Sequence, residues 1–133
     1  MSLENADLVR EAVEAYYRAD KARLLELVHP DLEWTYLNPE VPDPQPEVCH
    51  GRDQLGWGLD RQAGQGRASE VEEVIAAPGG RVVVVARTPG ADEDRAWRNG
   101  DRSILVLTVR GGQIVAMRAF RDKAAASEFA GTG

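Results

Sequence analysis

The sequence is short of the residues that build metal sites and disulfides. It contains one cysteine and two histidines. Cys49 cannot form an internal disulfide, and together with His29 and His50 it falls short of the four ligands of a closed zinc site. We therefore expect no metal and no disulfide, as is typical of a protein of the reducing cytoplasm.

Long apolar runs and an excess of basic residues are also missing. The densest apolar stretch, residues 82–86, is far below the roughly 20 residues that cross a bilayer, and the first residues lack the features of a signal peptide. With 16 Lys and Arg against 22 Asp and Glu the net charge is −6, which disfavours binding to nucleic acid or to an anionic membrane. We expect a cytoplasmic protein without either of these partners.

Motifs for nucleotides, cofactors and covalent catalysis are absent as well. Gly56 and Gly58 lie inside a predicted helix instead of between a strand and a helix, and no serine stands in a nucleophile-elbow context. Cys49 and His50 are chain neighbours whose side chains tend to diverge, so a cysteine nucleophile is not favoured. We predict no cofactor.

The remaining composition is that of one ordinary domain. The 133 residues are 43% hydrophobic and 29% charged, and a chain of this size buries a sizeable core without cross-links. Four prolines between residues 38 and 47 predict a loop, which we place inside the domain because the residues before it are too few for a core of their own. A single domain therefore spans residues 1–133.

Apolar spacing predicts helices mainly in the first half of the chain. Spacing of three and four residues predicts a first helix over 5–19. Asp20 can cap a second helix that ends before Pro30, with His29 at its terminus, and a weaker third helix covers 51–63. A short alanine-rich helix follows at the end of the chain, over residues 123–130.

Strands dominate the second half. Alternation and β-branched residues predict strands at 32–36, 81–88, 101–109 and 113–121. Residues 67–77 have helical spacing beside a turn, so they stay open between helix and strand. Helices first and strands afterwards predict an α+β fold, in which an antiparallel sheet carries its helices on one face.

The strands at 101–109 and 113–121 are predicted to form a hairpin, with the turn at Arg110, Gly111 and Gly112. This hairpin is apolar on both of its faces. Leu105, Leu107 and Val109 point to one side, while Ile104 and Val106 point to the other. The helices of the N-terminal half can cover only one face, and a bare apolar face usually marks an interface. We therefore predict a homodimer through the second face.

Aromatic side chains and one histidine are the candidates for a functional site. Trp34 and Tyr36 share a strand face, and together with Trp57 they are either core or the wall of a ligand pocket. Tyr17 is either core or a donor to a ligand carbonyl. His50 stands before a helix at the end of a loop, and an imidazole is the side chain best suited to proton transfer in catalysis, so it is a candidate general acid or base.

Four short strings occur in a characteristic order along the chain. They are HPDLEW at 29–34, GRD at 51–53, GGQIV at 111–115 and MRAFRD at 117–122. In this order they resemble the nuclear transport factor two-like superfamily, in its SnoaL-like and ketosteroid isomerase-like branch. The resemblance implies a cone-shaped α+β barrel, in which a curved, mostly antiparallel sheet and three helices of the N-terminal half close an apolar pocket. It also implies a strand at 67–77 and a dimer across the outer sheet face.

The resemblance further assigns the residues of the two sheet faces. One set faces the cavity, namely Trp34, Tyr36, Leu105, Leu107, Met117, Ala119 and Arg121. A second set faces outward to the other subunit, namely Ile104, Val106, Ala116, Arg118 and Phe120. The catalytic acids of related isomerases, hydrolases and cyclases match Tyr36, Leu105 and Ala119 in this chain, so the usual carboxylates are missing.

Two functions follow as hypotheses. The first is a SnoaL-like small-molecule-binding protein, whose aromatic-lined pocket takes a hydrophobic cyclic or carbonyl-containing ligand with its polar group against Arg121. The alternative is an isomerase, polyketide cyclase or dehydratase-type enzyme, in which His50 acts as acid or base and Tyr36 or Tyr17 donates to an oxyanion. A third interpretation is an interaction module whose cavity is packed core.

Overall fold

The computed structural model describes residues 2–18, 20–36, 47–62, 70–87, 102–120 and 123–131. The elements in these ranges are, in chain order, α1 (Ser2–Tyr17), α2 (Lys21–Leu27), β1 (Val28–Tyr36), β2 (Glu47–His50), α3 (Gly51–Gln62), β3 (Glu70–Ala76), β4 (Arg81–Arg87), β5 (Arg102–Arg110), β6 (Gln113–Phe120) and α4 (Lys123–Ala130). A short 3-10 turn, Pro78–Gly80, joins β3 to β4. The predicted proline-rich loop lies almost entirely outside the described residues.

The described strands form one six-stranded sheet. Their order is β2-β1-β6-β5-β4-β3. Neighbouring strands are antiparallel except β1 and β6, which run parallel, and the sheet curves without closing. The α+β class and the mostly antiparallel sheet are therefore confirmed.

The β5–β6 hairpin forms as its turn residues predict. Arg110 pairs with Gln113 across the two-residue turn of Gly111 and Gly112. Both glycines have positive φ, 59° and 77°, which is the backbone that a type I′ turn requires. The turn sets the pairing next to it, and the register then shifts by one residue between Thr108 and Val109.

The segment with helical spacing is a strand. β3 pairs with β4, and the register shifts between Val71 and Glu73. The extra residue of this bulge turns Val71 and Val74 to the same side, where both pack on the core. Their three-residue spacing is thus that of a bulged strand, as the resemblance implies.

β1 begins earlier than the sequence predicts. Val28, His29 and Pro30 belong to the strand, so the expectation of His29 at a helix end is wrong. The register between β1 and β6 shifts between Val28 and Glu33, and irregular stretches of this kind accept a proline. His29 Nδ1 accepts a hydrogen bond from the Asp31 amide at 3.0 Å, which serves the backbone of this stretch.

Asp20 caps α2 as predicted. Its carboxylate accepts a hydrogen bond from the Arg23 amide at 3.3 Å. The Arg23 guanidinium donates to Glu11 of α1 and to Glu26, each at 2.8 Å, and these two carboxylates raise the pKa of Arg23. A charged hydrogen bond on the surface therefore ties α2 to α1.

Helices cover the sheet on both sides. α1, α2 and α3 lie on what we call the inner face, above a buried cluster that includes Trp34 and Leu107. α4 lies on the opposite, outer face, where Ala126 and Ala130 pack on a second buried set, Val83, Val85, Ile104 and Val106. The expectation that all helices gather on one face is wrong for α4, because both faces are apolar and the closing helix covers the second.

α4 also changes the expectation for the dimer face. Ile104 and Val106 are each 1% exposed in a single chain, because α4 packs over them. The premise that the whole outer face is bare in a monomer is therefore wrong for its β4–β5 part. The part on β2, β1 and β6 carries exposed side chains, among them Val48 and Arg118. The homodimer itself stays a prediction.

Candidate functional site

Side chains of the inner face form rows that run across the strands. Cross-strand pairing aligns one row over five strands, from Val82 through Leu107, Met117 and Trp34 to Cys49. None of these side chains is more than 7% exposed. We call this set the buried row, and it forms the core beneath the helices.

The next row reaches the surface. Val84 pairs with Leu105, and Leu105 pairs with Ala119. Val84 is fully buried, Leu105 is 6% exposed, and Ala119 is only partly buried. We call these three residues the open row, since their exposure rises toward β6.

The described helices pack mostly on different strands of the inner face. α1 packs on β3, β4 and β5, and its Tyr16 reaches Trp34 of β1, whereas α3 packs on β1 and β2. On β6, which lies between these two parts of the sheet, Met117 is 2% exposed and Ala119 is partly exposed. We call the surface above Ala119 the opening.

An aromatic cluster lies beside the buried row. The ring of Tyr16 lies 5.4 Å from that of Trp34 and 5.3 Å from that of Tyr17, centroid to centroid, with interplanar angles of 55° and 52°. Tilted rings at these distances attract each other. Tyr17 is partly buried and packs on the same core, so the cluster holds the end of α1 against β1.

Five predicted ligand-binding residues share the inner face. Trp34, Leu107 and Met117 lie in the buried row, and Leu105 and Ala119 lie in the open row. This is the face to which the resemblance assigns them. Ligand binding by these residues stays a prediction.

Three further predicted residues lie at or beyond the edge of the described part. Tyr36 is the last residue of β1, and the parallel register brings its backbone level with Ala119. The side chains of Tyr36 and Trp57 lie outside the described part, and Arg121 lies outside it altogether. The structure therefore neither joins them to the opening nor separates them from it.

His50 lies on the opposite side of its strand from the inner face. In β2, Cys49 pairs with Trp34 and is buried, whereas His50 pairs with Glu33 and is exposed. The His50 amide donates to Gln54 Oε1 at 2.8 Å, at the start of α3. The structure therefore does not bring the imidazole to the opening.

Metal clusters and membrane-spanning helices are absent from the described ranges. No three His, Cys, Asp or Glu side chains there come together as metal ligands. No helix in the same ranges combines the length and the apolar character needed to cross a membrane.

Sequence reasoning misses one polar contact between α3 and the start of β1. Arg52 of α3 donates from Nε and Nη2 to the carbonyl oxygen of Val28, at 3.1 and 2.8 Å. The two residues are 24 positions apart in the chain, so no local sequence pattern predicts the contact. The GRD string at 51–53 marks only the start of a helix.

The sheet, with α1 to α3 on its inner face, defines an α+β fold of the nuclear transport factor two-like class. Within this class the chain belongs to the SnoaL-like domain family, whose model matches residues 9–117. The family assignment confirms the resemblance that the four strings indicate.

Solved structures share this fold. Bal32a from a soil-derived mobile gene cassette is 21% identical, with a TM-score of 0.70 over 97% of this chain and 98% of its own. A candidate polyketide cyclase of Sinorhizobium meliloti is 16% identical, with a TM-score of 0.64 over 86% and 94% of the two chains. A candidate ketosteroid isomerase of Kribbella flavida is 17% identical, with a TM-score of 0.65 over 90% and 78%. The comparison with curated proteins gave no match.

Proposed function

We propose that this SnoaL-like protein binds a small hydrophobic ligand, cyclic or carbonyl-containing, at the opening above Leu105 and Ala119. The observation that carries the proposal is the partial exposure of Ala119 next to the buried Leu105 on an apolar face. Sites for small molecules are concave and mostly apolar, with few polar groups. Partly exposed apolar surface next to a closed core supports a site of this kind.

The proposed ligand class follows from the residues expected around the opening. Leu105 and Ala119 offer only carbon surface, so the part of the ligand above them is apolar. Tyr36 and Trp57 are expected to add aromatic walls, on which flat rings stack favourably. Arg121 follows Ala119 by two residues and is expected to meet a carbonyl or carboxylate oxygen, which a guanidinium binds well.

Binding is favoured over catalysis by what the two rows contain. The buried row and the open row include no carboxylate and no imidazole. An isomerase, cyclase or dehydratase needs a group that moves a proton within hydrogen-bond reach of its substrate. His50, the candidate for that role, is exposed and faces away from the inner face.

Phenylalanine at position 119 is expected to fill the opening and to abolish ligand binding. The measurement is the shift in melting temperature over a panel of one- to four-ring ligands, together with native mass spectrometry for co-purified molecules. A ligand at 100 times its Kd stabilises the wild-type protein by about 2.7 kcal/mol. A119F is expected to lose this shift.

The matched control is A116F. It places the same ring on the same strand, but Ala116 belongs to the outer face. A116F is therefore expected to keep the ligand-induced shift. The proposal fails if no ligand stabilises the wild-type protein, or if A119F binds as well as A116F does. Conversion of a bound ligand into a product would favour the enzyme instead.

We also propose that two copies associate through the part of the outer face that α4 leaves uncovered. Val48 and Phe129 are the exposed large hydrophobic residues of the described part, at 42% and 36%. Val48 lies on this part, in a cross-strand row with Thr35 and Arg118. Phe129 of α4 borders it, since its ring lies 5.5 Å from the Arg118 guanidinium. Exposed apolar side chains around charged groups favour an interface.

The charged side chains on this surface can pair with those of a second copy. Glu33 and Arg118 are both exposed on neighbouring strands, and within the part of the chain that the structure describes neither forms an ion pair. A two-fold axis brings the same patch of both copies together. Glu33 of one copy can then pair with Arg118 of the second.

Charge reversal is expected to break and then restore this dimer. E33R and R118E each place like charges opposite each other, so each is expected to raise the dimer Kd by about tenfold or more. The double variant E33R/R118E restores opposite charges and is expected to regain the wild-type Kd. Light scattering at micromolar concentration measures the mass. A monomeric wild-type protein, or no recovery in the double variant, contradicts the proposal.

A further inference from the structure

We propose that α4 is part of the interface between two copies, and that the dimer forms only while α4 is docked on the outer face. This inference rests on the proposed dimer and names what regulates it. Arg118 links the two events, because it contacts α4 within one chain and is expected to pair with Glu33 of the second copy. Docking of α4 and association of two copies therefore favour each other.

Arg118 lies at the boundary between the covered and the uncovered part of the outer face. Cross-strand pairing aligns one outer row over the six described strands, namely Val48, Thr35, Arg118, Val106, Val83 and Ile75. Val48 is 42% exposed near one end of this row, whereas Val106 and Val83, beneath α4, are at most 1% exposed. Arg118 stands between them and is itself exposed. It is therefore the side chain of the uncovered part that lies beside α4.

The last turn of α4 contacts Arg118 through an aromatic ring. The Arg118 guanidinium lies 5.5 Å from the ring centroid of Phe129 and 5.5 Å from that of Phe120, and the two rings lie 5.3 Å apart. Cations at these distances from an aromatic ring are attracted to it. The docked helix thus restricts a long side chain that otherwise has many rotamers. Because less conformational entropy is then lost on pairing, a docked α4 favours the ion pair with the second copy.

Small side chains and one arginine hold α4 on the sheet. The helix has eight residues, and a helix of this length is not stable on its own. Its buried hydrophobic residues, Ala126 and Ala130, remove little apolar area from water. Arg81 of β4 donates from Nη1 to the Phe129 carbonyl oxygen at 3.1 Å, and its guanidinium lies 4.8 Å from the Phe129 ring. With an anchor of this size, a second copy can add to the stability of the docked helix.

The second copy can cover the part of Phe129 that remains exposed. The ring is 36% exposed although it contacts Arg81, Arg118 and Phe120. A two-fold axis through the uncovered part brings the same patch of both copies together. Burial of the ring against the second copy then favours the state in which α4 is docked, because apolar surface is removed from water only in that state.

The experiment compares A126E with A124E. Ala126 is fully buried beneath α4, so a glutamate at this position is expected to undock the helix, whereas Ala124 is exposed on the same helix and accepts the same charge. Sedimentation over a dilution series measures the dimer Kd, and urea unfolding shows whether each variant folds. We expect A126E to raise the dimer Kd by about tenfold or more and A124E to keep the wild-type Kd.

Hydrogen exchange in the wild-type protein measures the reverse effect. If the dimer requires a docked α4, association must stabilise the docked helix by the same factor. We expect the amides of α4 to exchange about tenfold more slowly at a concentration tenfold above the dimer Kd than at one tenfold below it. The amides of α1, on the opposite face of the sheet, are expected to keep their rates. This measurement needs no variant, so it is decisive if A126E does not fold.

The outcomes separate this inference from the proposed dimer. If the wild-type protein is monomeric at every concentration, the proposed dimer fails and this inference fails with it. If the wild-type protein dimerises but A126E keeps its Kd, or if α4 exchanges equally fast above and below the Kd, only this inference is overturned. A lower Kd in A126E would also overturn it, because α4 would then cover the interface instead of belonging to it.

Discussion

Replacement of Trp34 by alanine is expected to lower the free energy of unfolding by about 3–5 kcal/mol. The indole is 1% exposed and lies in the buried row, with Cys49 and Met117 on the two neighbouring strands. The Tyr16 ring closes the space from α1, at a centroid distance of 5.4 Å. These neighbours belong to strands and a helix that cannot collapse into the gap, so a cavity remains. Urea unfolding followed by far-UV circular dichroism measures the loss.

Phe129 provides the control for this substitution. Its ring is 36% exposed on the outer face, so F129A is expected to cost less than about 2 kcal/mol. A loss of less than about 1 kcal/mol in W34A would contradict the packing of the buried row. Trp34 would then belong to the wall of a ligand pocket, which is the second interpretation of the sequence. In that case W34A would weaken ligand binding instead.

The elements with local signals are those that the sequence predicts well. Asp20 caps the helix that it precedes, and the double glycine at 111 and 112 forms the predicted turn. The turn sets the pairing of Val109 with Ile114, but the register shifts between Thr108 and Val109, so the pairing of Leu105 with Ala119 does not follow from the turn. The resemblance, which assigns Leu105 and Ala119 to one face, is what predicts the open row.

Sequence reasoning misses the elements whose position depends on partners distant in the chain. β2 has four residues, and among the three whose burial is described, residues 48–50, Cys49 alone is buried, so the strand is too short for an alternation to be detected. The direction of His50 follows from the pairing of β2 with β1, so it could not be predicted without that strand. The alanines of α4 indicate a helix, but nothing in their spacing says which face of the sheet it covers.

The resemblance supplies what local patterns leave open at β3. The bulge in β3 gives two core valines the spacing of a helix, and only the order of elements in a known fold identifies a strand there. The contact of Arg52 with Val28 is beyond both kinds of reasoning, since it joins two elements through a backbone carbonyl. Any side chain can stand beside such a carbonyl, so the pair leaves no signature in the sequence.

The second large effect is expected at the backbone, where G80A should lower the free energy of unfolding by about 2–5 kcal/mol. Gly80 ends the turn between β3 and β4 with φ +77°, which L residues rarely adopt. An added Cβ would also lie 2.4 Å from the Val109 carbonyl oxygen of β5. That atom belongs to a paired strand and cannot move aside at little cost.

Gly79 is a matched control for this substitution, because it differs in one respect only. Its φ is +73°, but no atom lies within 4 Å of an added Cβ. G79A is therefore expected to cost only the left-handed backbone, about 1–2 kcal/mol. Urea unfolding of both variants isolates the steric part, since the backbone cost is common to them. Equal losses would mean that the turn does not lie against β5, and the close packing of the β4–β5 end of the sheet would have to be revised.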